Sequence, residues 1–424
     1  MSLDTSRSDV AFGPRAHRLR PRSKISGLPR VIGIPFGLTN AFLLLFPTIG
    51  YYILAGIVNI FDPAGSTGTI AIRLGALVLL VLGIIHLRRG TWLPFLPVFF
   101  PGTLFLLAYG ARLVENVVIQ DMVIPPDTNQ VLLLFLFASA IPALLMGRAA
   151  LALRENDLRL LMTAYLGLFA LVMALNIGDL SDVGSERLML TKINPIALAY
   201  ICSSFLLYYL VFWRASKRVL IETVLAAPFL ITIIAMARSR GMMIATAATL
   251  VVYVLALRGT ARIFAAVGVG AGALILAVFA FPEQFALMTE ALGRIDTEND
   301  MSTAGRALSF QGAWHQFLED PAFGRYAIEL LTNYYPHNIY LEALMAVGLT
   351  GSILFAFHIA FSVRAAIAII RDKAAPRMHL FVALLFIRDA VGAAASGAVW
   401  SASGFWITSF VIIAVRSRIR RSHA

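Results

Sequence analysis

The sequence predicts an all-α polytopic membrane protein of about twelve spans. Three observations lead there. Of 424 residues, 59% are hydrophobic and 14% charged, and the mean hydropathy is +0.81, outside the range of soluble domains. Apolar runs of roughly 17–25 residues recur along the chain, the length a helix needs to cross the hydrocarbon core. The basic residues segregate, with about 25 of the 35 Lys and Arg on one side of the predicted spans. A β-barrel is excluded, because its strands alternate in short segments and these runs are continuous.

The chain opens with MSLDTSRSDVAFGPRAHRLRPRSKISGLPR, basic, rich in Ser and Pro, and lacking an apolar centre. Residues 1–30 read as a disordered basic cytoplasmic tail leading to an uncleaved first span, not as a secretory signal. Candidate spans follow at 36–61, 70–87, 92–111, 129–147, 158–178, 195–213, 219–237, 241–257 and 261–281, within 31–281. After a long external loop, 282–336, come 337–361, 378–395 and 398–415, then a second basic tail, 416–424.

Orientation follows from the ends of the spans. The first tail, HLRRG (86–90), Arg148 with Arg154, WRASKR (213–218), LRGTAR (257–262), RDKAAPR (371–377) and RSRIRR (416–421) share one side. That side is cytoplasmic and holds both termini. The opposite loops carry Asp62, Glu115, Asp121, Asp127, Asp179 and Asp182. The net charge of +12 therefore reflects contact with membrane lipids and topology, not nucleic acid. Cys202 is the only cysteine, so the chain has neither a disulfide framework nor a Cys-based metal site.

Within the loop 282–336, STAGRALSFQGAWHQFLEDP (302–321) places Arg306, Phe310, Trp314 and Phe317 along one helical stripe, closed by Pro321. Two readings stand: a helix lying on the membrane surface, apolar face inward, or a small helix packed within the loop. DTEND (296–300) alternates acids and reads as a solvated turn, with a divalent-cation site as the competing reading.

Arginines on the outer side run against the charge bias. MARSRG (236–241) puts Arg238 and Arg240 at an external turn, Arg187 lies in GSERLMLTKINP (184–195), and Arg306 is in the long loop. The planar guanidinium fork suits phosphate oxygens, so the set reads as a cationic site for an anionic ligand, a lipid diphosphate fitting that depth. The alternative is arginines snorkelling to headgroups. In YYPHNIYLEALMAVGLTG (334–351), Pro336 presets a turn and His337 stands at the external end of a span. A neutral imidazole there can accept a proton. Asn338 and Glu342 share a helical face and are read as orienting each other or a ligand hydroxyl, while Gly348, Gly351 and Ser352 allow close helix approach. Arg388 and Asp389 fall inside a span. As consecutive residues they are expected to point apart, each to a partner on another helix, as an ion pair or a ligand contact.

The succession of RSRG, GRALSFQGAWHQFLEDPAFG (305–324) and YPHNIYLEALMAVGLTG (335–351), preceded by ERLMLTKINP (186–195), resembles the O-antigen ligase and O-antigen polymerase family of bacterial inner-membrane proteins. The resemblance covers about residues 186–352. It implies a GT-C-type helical fold with a periplasmic cavity, and transfer of a glycan from undecaprenyl diphosphate at the periplasmic face. Ligases deliver it to the lipid A core, polymerases to a growing lipid-linked glycan, in lipopolysaccharide or exopolysaccharide biosynthesis. The functional positions it implies are Arg238 or Arg240, Arg306 and His337. One departure is Ala346-Val347 ahead of Gly348, where many relatives carry an acid. The implied chemistry is inverting, with arginines on the diphosphate, His337 taking the hydroxyl proton, and neither cofactor nor metal. A transporter or lipid-linked glycan flippase is the reading from another class, drawn from the twelve spans and the Arg388–Asp389 pair.

Overall fold

The computed structural model describes residues 30–31, 34–61, 97–120, 122, 128–149, 153–176, 193–213, 215–256 and 301–423. The tail ahead of Arg30, the spans predicted at 70–87 and 261–281, Arg187 and the acidic turn 296–300 lie outside them. Arg30–Val31 (β1) pairs antiparallel with Ile34–Pro35 (β2). All other described elements are helical.

The first helix, α1, runs as Phe36–Leu45 and Tyr51–Phe61 through a wide turn at Phe46–Gly50. Next come α2 (Phe100–Val114, extended by a wide turn, Glu115–Ile119) and α3 (Thr128–Leu134, Phe135–Ala140 and Ile141–Ala149 in succession). They are followed by α4 (Glu155–Leu175), α5 (Pro195–Phe212), α6 (Lys217–Met236) and α7 (Arg240–Ala256). The last four are α8 (Met301–Glu319), α9 (Ile339–Arg371), α10 (Arg377–Ala395) and α11 (Ser403–His423).

Seven of these, α1, α2, α4, α5, α6, α9 and α10, are long and apolar enough to cross a membrane, and α3, α7 and α11 hold shorter apolar stretches. The described chain is thus a polytopic helical membrane protein. Some predicted boundaries move. The span expected at 92–111 has its helix from Phe100, its apolar run reaching Ile119. The one expected from 398 starts at Ser403, with residues 396–402 forming a junction in which Ala398–Trp400 are buried.

Local chemistry explains the helix starts. Pro195 opens α5 with its fixed φ, and the Asn194 side chain accepts the Ala197 N–H at 2.7 Å. Ser216 caps α6 through the Val219 N–H at 3.2 Å. With 83% of its apolar window buried, α5 is the most enclosed span, and its uniformly apolar circumference is what a central position requires. Residues that the charge bias assigns to one side meet each other. Arg377 pairs with Glu155 at 3.8 Å at the end assigned to the cytoplasm, and Asn116, Arg112 and Ala395 contact the 301–336 region at the other.

The helix α9 is discontinuous. Gly348 has φ 58 and ψ −165, so the hydrogen-bond ladder breaks, and residues 321–324 wedge into the gap. The Pro321 and Ala322 carbonyls accept the Leu349 and Thr350 N–H groups at 2.8 and 3.1 Å, capping the second half. The Met345 carbonyl, freed on the first half, accepts the Arg325 N–H at 3.2 Å. Gly348 therefore serves backbone insertion, where the sequence suggested close approach of another helix. A Cβ at 348 would stand 2.5 Å from the Ala322 carbonyl. Gly348→Ala is expected to lower the thermal midpoint of the solubilised protein sharply, strained backbone alone costing about 1–3 kcal/mol. Gly167→Ala, where a Cβ meets nothing within 4 Å, should leave it near wild type in the same scan.

Candidate functional site

At the end assigned to the outside, α2 carries a two-residue clamp. Arg112 and Asn116 are one helical turn apart and face the same way. Arg112 donates from Nε to the Ala346 carbonyl at 3.0 Å, from Nη2 to the Gly324 carbonyl at 2.8 Å, and pairs with Glu115 at 2.6 Å. Asn116 accepts the Ala327 N–H at 2.8 Å and donates to the Arg325 carbonyl at 3.1 Å. Together they fix the wedge and the residues after it to the first half of the broken helix.

The loop helix α8 packs on the segment that follows it. Gln316 donates to the Ile328 carbonyl at 3.2 Å and accepts the Leu330 N–H at 2.8 Å. Buried Glu329 accepts from the Thr332 N–H at 2.8 Å and its hydroxyl at 2.6 Å, and lies against Gly312, where a Cβ has no room. The buried face is Ser309, Ala313, Gln316 and Phe317, with Trp314 48% exposed. The face is rotated from the predicted stripe because α8 packs against its own loop, which favours the packed-helix reading.

His337 stands where the loop turns into α9. Pro336 is buried, His337 has φ 55, and the Asn338 side chain caps the helix by accepting the Tyr340 and Leu341 N–H groups at 3.0 and 3.2 Å. The His337 carbonyl accepts the Gly397 N–H at 3.4 Å. Its ring centroid lies 4.4 Å from that of Tyr335 and 5.5 Å from that of Tyr334, and Nδ1 is buried without a partner. Burial, and then the positive charge of Arg306, lower its pKa from 6.5 to about 4, so the imidazole is neutral at pH 7. The folded value is the depressed one. Its contribution to stability is therefore complete above pH 6.5 and declines as the pH falls towards 4.

Three segments distant in sequence converge on Ala395–Gly397, the start of the α10–α11 junction. Arg306 donates from Nη1 to the Ala395 carbonyl at 3.3 Å. Gly241, beside Arg240, packs so closely that a Cβ there would lie 2.9 Å from the Ala395 Cβ. Gly397 holds His337 as described. The turn bearing Arg238 and Arg240, the loop Arg306 and His337 thus share one support. Arg238 has φ 47, and Arg238, Arg240 and Arg306 each interact with neighbouring groups, so a bound anion adds to or replaces existing contacts. Arg306→Gln removes the second cause of the His337 shift. The His337 titration is expected to move up from about 4 towards 6.5. NMR of the imidazole across a pH series measures this.

Asn338 and Glu342 do not orient each other. The first is spent on the helix cap, and the second, fully buried, accepts from the Tyr109 hydroxyl at 2.5 Å and the Val399 N–H at 2.9 Å. It ties α2 and the α10–α11 junction to α9. Arg388 and Asp389 were expected to point apart; instead they pair with each other at 2.6 Å, 0% and 3% exposed. The long Arg388 stem folds the guanidinium back, and Nη1 reaches the Tyr200 carbonyl at 3.2 Å and the hydroxyls of Ser203 and Ser204 on α5. The Tyr200 hydroxyl donates to Asp389 at 3.3 Å, and its ring lies 3.8 Å from the Arg388 guanidinium carbon. Arg112 and Asn116 were not singled out from the sequence, although Arg112 shows the same departure from the charge bias as the other outer arginines.

Residues 225–356 match the family model for O-antigen ligase, in line with the resemblance seen over 186–352. The matched segment runs from α6 past the break in α9, so it contains Arg238, Arg240, Arg306 and His337 together with the wedge. No curated protein matches the chain in a sequence search.

Proposed function

We propose that this chain is a membrane glycosyltransferase that moves a glycan from an undecaprenyl-diphosphate carrier to a sugar hydroxyl at the periplasmic face, with inversion and without a metal or cofactor. The observation that carries the reading is the convergence of the 238–241 turn, Arg306 and His337 on Ala395–Gly397, inside the segment matched by the O-antigen ligase family. Two forms share this donor chemistry: a ligase, with the lipid A core as acceptor, and a polymerase, whose acceptor is another lipid-linked glycan.

In this mechanism Arg238, Arg240 and Arg306 bind the diphosphate, with Arg187 as a fourth donor-binding position. Their fixed positive charge stabilises the negative charge that grows on the leaving group. The acceptor hydroxyl attacks the anomeric carbon from the face opposite the diphosphate. The new glycosidic C–O bond forms as the old one breaks, and the electron pair leaves on the diphosphate. His337 takes the hydroxyl proton and returns it to solvent. A neutral imidazole is ready for that role, and the arriving diphosphate offsets the Arg306 charge that depresses its basicity. The enclosure of the Arg388–Asp389 pair by Tyr200, Ser203 and Ser204 supports a structural role for it over a place on a substrate path.

The test is transfer by the purified chain in nanodiscs with no ion gradient, from an undecaprenyl-diphosphate oligosaccharide to lipid A core, read by mass spectrometry. A glycosylated acceptor is the expected product. Gradient-dependent movement of intact donor, with no transfer, would sink the proposal in favour of the flippase. A deletion strain separates the two enzyme forms: long polymer stranded on the carrier marks a ligase, single repeats a polymerase.

A further inference from the structure

The outer site holds an aromatic group that the transfer chemistry does not require. Tyr334, Tyr335 and His337 are half-buried rings in mutual contact, with centroids 4.4 Å apart for the tyrosine pair and 4.4 Å for Tyr335 with His337. Trp400, from the α10–α11 junction, meets Tyr335 edge to face, 5.9 Å apart with the planes at 89°. Trp400 is 6% exposed and its Nε1–H has no acceptor. A buried indole N–H is normally paired, and leaving one unmet is costly. The other tryptophan of this region follows the rule, since Trp406 donates to the Val399 carbonyl at 2.9 Å. The backbone at Trp400 is held on both sides, its carbonyl by the Ser139 hydroxyl at 3.0 Å and the Val399 N–H by Glu342 at 2.9 Å. The indole is anchored with its one donor unused, and Tyr335 lies between it and His337, whose Nδ1 is also buried and unpartnered.

We propose that Tyr334, Tyr335 and Trp400 form a saccharide subsite that seats the reacting sugar of the acceptor beside His337, its C–H face on the tyrosine rings and one oxygen on the Trp400 N–H. This rests on the transferase reading and names what that site holds. The chemistry selects the ligand class. A pyranose has a weakly positive C–H face that matches the negative face of an aromatic ring, and its oxygens accept from an indole donor. An acyl chain uses the rings but leaves the N–H unmet. A diphosphate takes the N–H but gains nothing from uncharged rings, and arginines lie near for it. A sugar satisfies both groups, and adjacency to the imidazole assigns it to the acceptor, whose hydroxyl loses the proton.

Saturation-transfer NMR on the full chain in nanodiscs tests this, with the delipidated core oligosaccharide of lipopolysaccharide as probe. Wild type is expected to saturate sugar ring protons. Trp400→Phe keeps a ring and removes the donor; it should weaken binding about threefold to tenfold, the loss of one neutral hydrogen bond. Tyr334→Leu, at a partly exposed position whose bridge to Glu329 is made by the backbone, should weaken it as well. In the transfer assay both should raise the acceptor KM and leave the donor KM and kcat near wild type. Absence of sugar binding by wild type, or undiminished binding in both variants, overturns the subsite and leaves the transferase reading standing. Sugar binding that these variants weaken, in a chain that transfers nothing from the donor lipid, supports the subsite and overturns that reading instead.

Discussion

Replacing His337 with Asn is expected to slow glycan transfer by about 10²–10⁴-fold, the usual contribution of a positioned general base, while donor binding stays near wild type. Asn is the informative choice because residue 337 has φ 55, a region that Asn enters readily and a β-branched side chain does not. The Gly397 contact uses the residue's carbonyl, so the substitution keeps the turn and removes only the imidazole. Single-turnover transfer measured alongside donor binding separates the two steps. Transfer at the wild-type rate by a folded Asn variant would exclude His337 as the base. Loss of donor binding in step with transfer would make it a binding group instead.

The largest effect on stability is expected at Arg388. Arg388→Met leaves the Asp389 carboxylate buried without its cation, and breaking a buried pair in this way costs about 3–5 kcal/mol. The pair is 0% and 3% exposed, and the guanidinium also binds Tyr200, Ser203 and Ser204, so α5 and α10 lose their polar join together. The double change Arg388→Met with Asp389→Leu removes both charges and should recover much of the loss. A denaturant titration of the solubilised protein measures this. Arg218–Glu222 is the contrast, an ion pair of 2.7 Å whose arginine is 80% exposed. Arg218→Met should be nearly neutral, since solvent already screens that pair. If the single Arg388 variant were as stable as the double one, the charges would not be sustaining the join.

Hydropathy and charge bias made most of the architecture legible. Crossing a membrane demands long apolar helices, and that demand is written locally in every span. Arg238, Arg240, Arg306 and His337, which the structure gathers on Ala395–Gly397, drew notice because each breaks a local rule: a cation against the charge bias, or an imidazole beside a turn proline. What escaped depends on partners far along the chain. Nothing near Gly348 in the sequence announces that Pro321 and Ala322 cap the helix beyond it. Asn116 looks like the polar end of a span until residues 325 and 327 are brought to it. The stripe through Arg306, Phe310 and Trp314 did not reveal that Ser309, Ala313 and Gln316 meet the loop's own segment 327–332, because those partners lie further along the chain. Arg388 and Asp389 do meet another helix, through Tyr200, Ser203 and Ser204 of α5; only their pointing apart failed, because a rule for Cβ directions was applied to a long flexible side chain.

The wedge at Gly348 has a consequence for how the chain is made. The carbonyls that complete the second half of α9 belong to Pro321 and Ala322, which a ribosome synthesises before Leu349 and Thr350. When that half-helix emerges, the groups that cap it have already been made, but they reach it only once residues 321–324 have folded into the break. Insertion of this half-helix and folding of the 301–336 segment are therefore not separable stages. A misfolded loop would leave a stretch of apolar helix without its first hydrogen bonds.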